Sequence, residues 1–317
     1  MIYEAEYNTK AAKRSYSICS LSLFLSGILS LVGGAGLSFL FALLKRSGSP
    51  LISNPYFTWG VQLVLMYGIV FPMGLLLMKL SPSTPPEKKK LPLGRLLSYF
   101  VMCFPLMAAG AIIGNLLSAL ISGGTATNPA ESLASDGNIL RILITVVLAP
   151  LFEELLFRKF LIDRTAAYGE RTAVIFSAVT FGLFHGNLFQ FFYAAGTGLI
   201  FAYIYTRTGK VRYTVILHMM INFLGSVIAP WISSLSEGGG LSKAVGVMIT
   251  AGYSLIYFAL VVIGAVLILV RRRRIFFLPS PYQIPDGKRF STVCLNVGSI
   301  LFFLYCAFSI VMNLLPS

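Results

Sequence analysis

"LAPLFEELLFRKFL", residues 148–161, sets two adjacent glutamates, Glu153 and Glu154, inside an otherwise apolar run. A charged side chain at the centre of a bilayer costs about 2.5–3.5 kcal/mol even on lenient insertion scales. What surrounds this stretch therefore decides what it is for. The chain of 317 residues is 56% apolar and only 11% charged, and its mean hydropathy is +0.81. Soluble globular domains sit nearer 45–50% apolar and about 25% charged. The solvent around most of this chain is lipid.

Apolar stretches of about 20 residues, the length that crosses a bilayer, occur near 16–44, 56–78, 96–121, 138–162, 172–187, 188–206, 213–233, 244–270 and 292–314. The first is long enough to tilt, or to break near Gly33, Gly34 and Gly36. The fifth and sixth share a short joint at "HGN", 185–187. The fold class is therefore all-α, a polytopic transmembrane bundle of eight or nine helices. A four-helix block at 138–233 is flanked by membrane helices and a linker over 1–137, and by further membrane helices over 234–317.

The formal net charge of +14 would suggest nucleic acid in a soluble protein, but its distribution excludes that reading. With the N-terminus on the cytoplasmic side, only Lys45, Arg46, Arg141 and Lys243 fall outside, and the remaining 21 of 25 basic residues fall inside. This is the positive-inside bias of a membrane protein, with a secondary attraction to anionic inner-leaflet lipid. The segment "KLSPSTPPEKKKLPLGR", 79–95, reads as a cytoplasmic linker. "SGGTATNPAESLASDG", 122–137, and "SLSEGGGLSK", 234–243, read as outer loops. "RRRR", 271–274, reads as a stop-transfer anchor, with an unspecified binding role as the alternative. Cys19, Cys103, Cys294 and Cys306 are scattered singly, which excludes a disulfide framework and a thiolate metal site.

The only two acidic residues inside any span are Glu153 and Glu154, and the only two histidines, His185 and His218, lie in spans of the same central block. Ionisable groups at membrane depth are functional candidates. At about 1.5 Å rise per residue, Glu153, His185, His218 and Asn222 fall in one layer of the inner half of the membrane. Glu154 and Arg158, Phe181 and His185, and His218 and Asn222 are each four residues apart and share a helix face. Glu153 points about 100° away from Glu154. This division pairs Glu154 with Arg158 structurally and leaves Glu153 to face a cavity, with Phe181 as one of its walls.

"EELLFR" (153–158), "FGLFH" (181–185) and "HMMIN" (218–222) follow one another as E-E-x-x-x-R, F-x-x-x-H and H-x-x-x-N. In that order they resemble the three signatures of the CAAX protease and bacteriocin-processing (Abi) family of intramembrane endopeptidases, over about a quarter of the chain. The resemblance implies hydrolysis of a peptide bond in a membrane-associated, prenylated or otherwise lipidated substrate. It implies Glu153 as the residue that activates water, His185 as its assistant, and His218 and Asn222 as holders of the oxyanion. The site is expected to need no cofactor. The alternative is zinc, held by Glu153, Glu154, His185 and His218, although no H-E-x-x-H is present to recommend it. Two other classes stay open: a peptide-binding immunity protein without catalysis, and a proton-coupled transporter, against which the lack of an internal repeat counts. The expected setting is a bacterial plasma membrane, with lipid as the only other partner that the residues indicate; oligomeric state is not encoded in the pattern.

Overall fold

The computed structural model describes residues 2–129, 139–237 and 240–315, and among these all regular structure is helical. Nine principal helices correspond in order to the nine apolar spans. They are α1 (Ile2–Arg46), α2 (Pro55–Met78), α3 (Leu93–Ser122), α4 (139–165), α5 (Glu170–Phe184), α6 (Leu188–Thr208), α7 (Arg212–Glu237), α8 (Gly240–Arg271) and α9 (Val297–Leu314). Seven are long and apolar enough to cross a membrane by length and composition. The other two are α4, which carries the glutamates and several basic residues, and α5, which has only 15 residues. The chain is a polytopic integral membrane protein. Of the outer loop expected at 122–137, residues 130–137 lie outside the described residues, as do 238–239 of the second.

One alternative left open by the sequence is decided, and two details differ from the sequence reading. Helix α1 runs unbroken through Gly33, Gly34 and Gly36, because helical hydrogen bonding has no competitor in lipid. The last span starts late: Asn296 leaves the helix, and its side chain caps α9 by accepting from Ser299 N. The linker is docked to the bundle. Thr84 N donates to Asp163 O at 2.5 Å and Lys89 N to Thr208 O at 2.8 Å, tying it to the ends of α4 and α6.

Helix α6 is central, packed between α3 and α5. The expected joint at 185–187 is a tight turn: Gly186 takes φ +68°, and the Asn187 side chain accepts from Gln190 N at 2.9 Å. Two apolar clusters form the interior. One unites α1, α2, α4, α5 and α9 around residues such as Tyr16, Phe71, Phe157 and Phe181. The other unites α3, α6 and α7 around Cys103, Phe201 and Leu217. Their boundary holds the polar site.

Small residues let helices approach closely where lipid supplies no hydrophobic drive. A β-carbon on Gly110 of α3 would overlap the backbone of Tyr193 on α6, whereas Gly34 of α1 has nothing near it. Gly110→Val is expected to destabilise by about 1–3 kcal/mol through overpacking. Gly34→Ala should not lower stability, since alanine is the better helix former by about 1 kcal/mol. Thermal unfolding of both variants in detergent checks the contrast.

Candidate active site

The site begins with the way proline disturbs helix α4. Proline has no N–H, and its ring clashes with the carbonyl four residues back. Residues Ile144–Leu148, just before Pro150, relax into a wider π-helical turn. The same device appears before Pro72 in α2 and before Pro230 in α7. In α4 the turn shifts the ladder so that Ala149 N donates to Ile144 O. Thr145 O would next receive Pro150, which has no hydrogen to give. Asn222 fills the gap: its Nδ2 donates to Thr145 O at 2.9 Å. The carbonyl can only accept, so the amide orientation is settled, and the second Nδ2 hydrogen remains available.

A second π-helical turn, Leu155–Phe160, carries Arg158. Glu154 and Arg158 are both fully withdrawn from solvent, with Arg158 Nε 3.1 Å from Glu154 Oε2. This is an ion contact by distance, without the angle of a hydrogen bond. The guanidinium reaches Ser177 Oγ at 3.4 Å, and that hydroxyl donates to Phe157 O at 2.8 Å. It also lies over the Phe181 ring, 4.4 Å from its centroid, and 5.7 Å from that of Phe201. Phe181 is thus more than a cavity wall. It supports the arginine through the negative face of its ring.

His218, on α7, sits between the two glutamates. Its Nδ1 is 3.1 Å from Glu154 Oε1, and its Nε2 is 3.7 Å from Glu153 Oε2. The buried Glu154 carboxylate, facing Arg158, accepts hydrogen bonds only, so His218 Nδ1 carries the proton between them. The two glutamates diverge around α4, yet both reach one imidazole from either side. Glu153 keeps about 20% of its side chain exposed, against none for Glu154.

His185 lies at the C-terminal end of α5, and its Nδ1 donates to Phe181 O at 2.9 Å. That bond leaves Nε2 as the accepting nitrogen of the neutral ring. Phe181 meets both imidazoles edge-on, with centroids 5.0 Å from His185 and 5.7 Å from His218, so a phenyl ring lies against each histidine. The structure thus joins Glu153, Glu154, Arg158 and His218 in one polar network. Asn222 lies one turn further along the His218 face, and His185 lies beyond Phe181.

A zinc centre from Glu153, Glu154, His185 and His218 would compete with contacts that these groups already make. Glu154 is committed to Arg158 and His218, the His218 nitrogens each face a carboxylate, and His185 Nδ1 is turned to a backbone carbonyl. Among the described residues, no three His, Cys, Asp or Glu side chains converge as metal ligands.

Sequence reasoning passed over Pro150, Ser177 and Phe201. Ser177, Phe181 and His185 recur every four residues on α5, a stripe visible in the sequence. Pro150 lies inside the opening stretch. Phe201 carries no polar signal and could be found only from the fold.

Residues 135–224, which hold all of these groups, match the family described as Type II CAAX prenyl endopeptidase Rce1-like. The chain is also 31% identical over 87 residues to "Putative membrane peptidase YdiL" of Bacillus subtilis (strain 168), covering 26% of this chain and 34% of that protein. The chain thus spans about a third of the length of the curated relative it matches. No solved structure matches the chain.

Removing one member of a buried ion pair leaves the other uncompensated, at a cost of about 3–5 kcal/mol. Arg158→Met should therefore destabilise the protein on that scale in detergent unfolding. The double variant Glu154→Gln/Arg158→Met should recover part of the loss.

Proposed function

We propose that this protein is an intramembrane peptidase of the bacterial plasma membrane, with its N-terminus cytoplasmic and residues 138–233 as its catalytic core. Its substrate is a membrane-associated or lipidated peptide, and its reaction is hydrolysis by glutamate-activated water without a metal. The observation that carries this reading is the single imidazole of His218 held between two carboxylates, 3.1 Å from Glu154 and 3.7 Å from Glu153, beside a buried arginine. The match of 135–224 to a prenyl endopeptidase family and the peptidase name of the relative support it.

In this mechanism the partly exposed Glu153 accepts a proton from water, and the hydroxide attacks the carbonyl carbon of the scissile bond. His185, turned by its bond to Phe181 O, presents Nε2 to the same water and aligns it. The carbonyl oxygen becomes an oxyanion. His218, protonated on both nitrogens, donates Nδ1–H to Glu154 and Nε2–H to that oxygen. The second Nδ2 hydrogen of Asn222 completes the pair of donors. With His218 protonated at this stage, the Glu154 carboxylate and the oxyanion are balanced by Arg158 and the imidazolium, so the cluster as a whole is neutral and tolerates its low-dielectric surroundings. When the intermediate collapses, Glu153 passes its proton to the departing amine, the C–N bond breaks, and the products leave as a carboxylic acid and an amine, the acid proton passing to the amine to give carboxylate and ammonium. Glu154 and Arg158 act by holding His218.

Reconstituted protein with a fluorogenic lipidated peptide tests the scheme. Glu153→Gln should lower turnover by about 10²–10⁴-fold, as expected for loss of a general base. Asn222→Ala should lower it by about 10²–10³-fold, as for an oxyanion donor. Pro150→Ala, which gives position 150 a donor for Thr145 O, should move kcat towards the Asn222→Ala value with KM little changed. A chelator should have no effect. Full turnover in Glu153→Gln would end the reading.

A further inference from the structure

A cavity of about 1170 Å³ opens at the basic end of the bundle between α3, α5, α6 and α8, and contains none of Glu153, His185, His218 or Asn222. Its volume exceeds the ~300–1,000 Å³ typical of small-molecule pockets. The linker roofs it on one side and 275–281 on the other. The latter segment is fastened to the α4–α5 corner, with Ser280 Oγ donating to Ala166 O at 2.8 Å and Tyr282 N to Ala167 O at 3.0 Å. On α6 the cavity takes the face of Leu199, Tyr203 and Thr206, whereas Phe201 turns to Arg158 and His218. A molecule in this cavity is therefore on the far side of α6 from the polar network.

Its walls are divided by chemistry. The mouth holds two carboxylates, and both are already paired: Glu87 with Lys89 at 2.9 Å, and the buried Glu170 in close contact with Arg207. Lys90, Arg95, Arg171, Arg271 and Arg274 also line it and have no carboxylate partner among the described residues. Arg271 donates only to the neutral Ser98 Oγ, at 3.0 Å. Deeper in, the lining becomes Met102, Leu106, Ile175, Leu199 and Ile268. From Arg95 to Leu106 along α3 the helical rise amounts to about 16 Å, roughly half of a ~30 Å hydrocarbon core.

We propose that this cavity binds one anionic phospholipid, its phosphate among the unpaired arginines at the mouth and an acyl chain along the apolar wall of α3 and α6. The excess of positive charge selects an anion. The apolar depth of one leaflet selects a lipid over a free phosphate. The site gives the "RRRR" run a role beyond anchoring, because Arg271 and Arg274 line the cavity while the intervening Arg272 and Arg273 do not. The proposal stands apart from the peptidase reading, and its test does not measure cleavage.

Native mass spectrometry of the full chain in detergent, titrated with phosphatidylglycerol, phosphatidylcholine of the same chains, or glycerol phosphate, tests it. The expected result is retention of one phosphatidylglycerol in preference to the other two. Arg271→Gln/Arg274→Gln should weaken that retention roughly thirtyfold, and Arg272→Gln/Arg273→Gln should leave it unchanged. Leu199→Trp, which fills the chain slot without altering charge, should weaken it as well. Equal loss in the two double arginine variants would reduce the effect to diffuse surface charge. Phosphatidylcholine retained as well as phosphatidylglycerol, or glycerol phosphate bound as tightly, would likewise overturn the proposal.

Discussion

A carboxylate buried in a membrane protein cannot be left to itself, and Glu154 has no exposed atom. The energy of withdrawing it from water is offset by Arg158 one turn along the same helix and by His218 from another. Arg158 is equally buried and needs support of its own, which comes from Ser177 and from the ring faces of Phe181 and Phe201. One ion contact therefore commits α4, α5, α6 and α7 to a common geometry. It also explains why two apolar clusters, not one, make up the interior: the polar network lies at their junction. Such networks add little net stability compared with an apolar replacement, yet they are costly to break in part. What this network does is hold a group in place, and here that is the imidazole of His218.

Backbone irregularity contributes as much as charge. Prolines in α2, α4 and α7 each follow a π-helical turn, and π-turns concentrate at functional sites. In α4 the consequence is specific. Pro150 deprives Thr145 O of its helical donor, and Asn222 supplies another from α7. A buried carbonyl in a membrane must find a donor, so this bond fixes the register between the two helices that carry the glutamates and His218. The amide of Asn222 is thereby held in one orientation, which is the preorganisation that its proposed oxyanion role calls for.

Much of the fold was legible in the sequence because lipid imposes a length on every helix. Each of the nine apolar spans holds one of the principal helices, and the "HGN" joint is the turn that separates α5 from α6. What was not legible depended on contacts between distant segments. The break at Asn296 follows from a cap that reads as ordinary apolar span, and the docking of the linker rests on backbone hydrogen bonds to Asp163 and Thr208. In the site, the four-residue spacings brought Glu154 to Arg158 and aligned His218 with Asn222, since helix faces follow from period alone. The reach of both glutamates to one histidine, on opposite sides, depends on where α7 packs against α4, which helix period alone does not give. The support that Phe201 gives to Arg158 was hidden because an aromatic residue in a membrane helix has no distinguishing signature.

The chain contains only two histidines, which makes the central claim directly measurable by ¹⁵N NMR of histidine-labelled protein in detergent. In a His185→Ala background, every imidazole signal belongs to His218. The account predicts a protonated, strongly hydrogen-bonded Nδ1 that moves when Glu154 is changed to Gln, and a separate response at Nε2 when Glu153 is changed to Gln. An imidazole whose signals resemble those of free histidine, and that both substitutions leave unmoved, would contradict it.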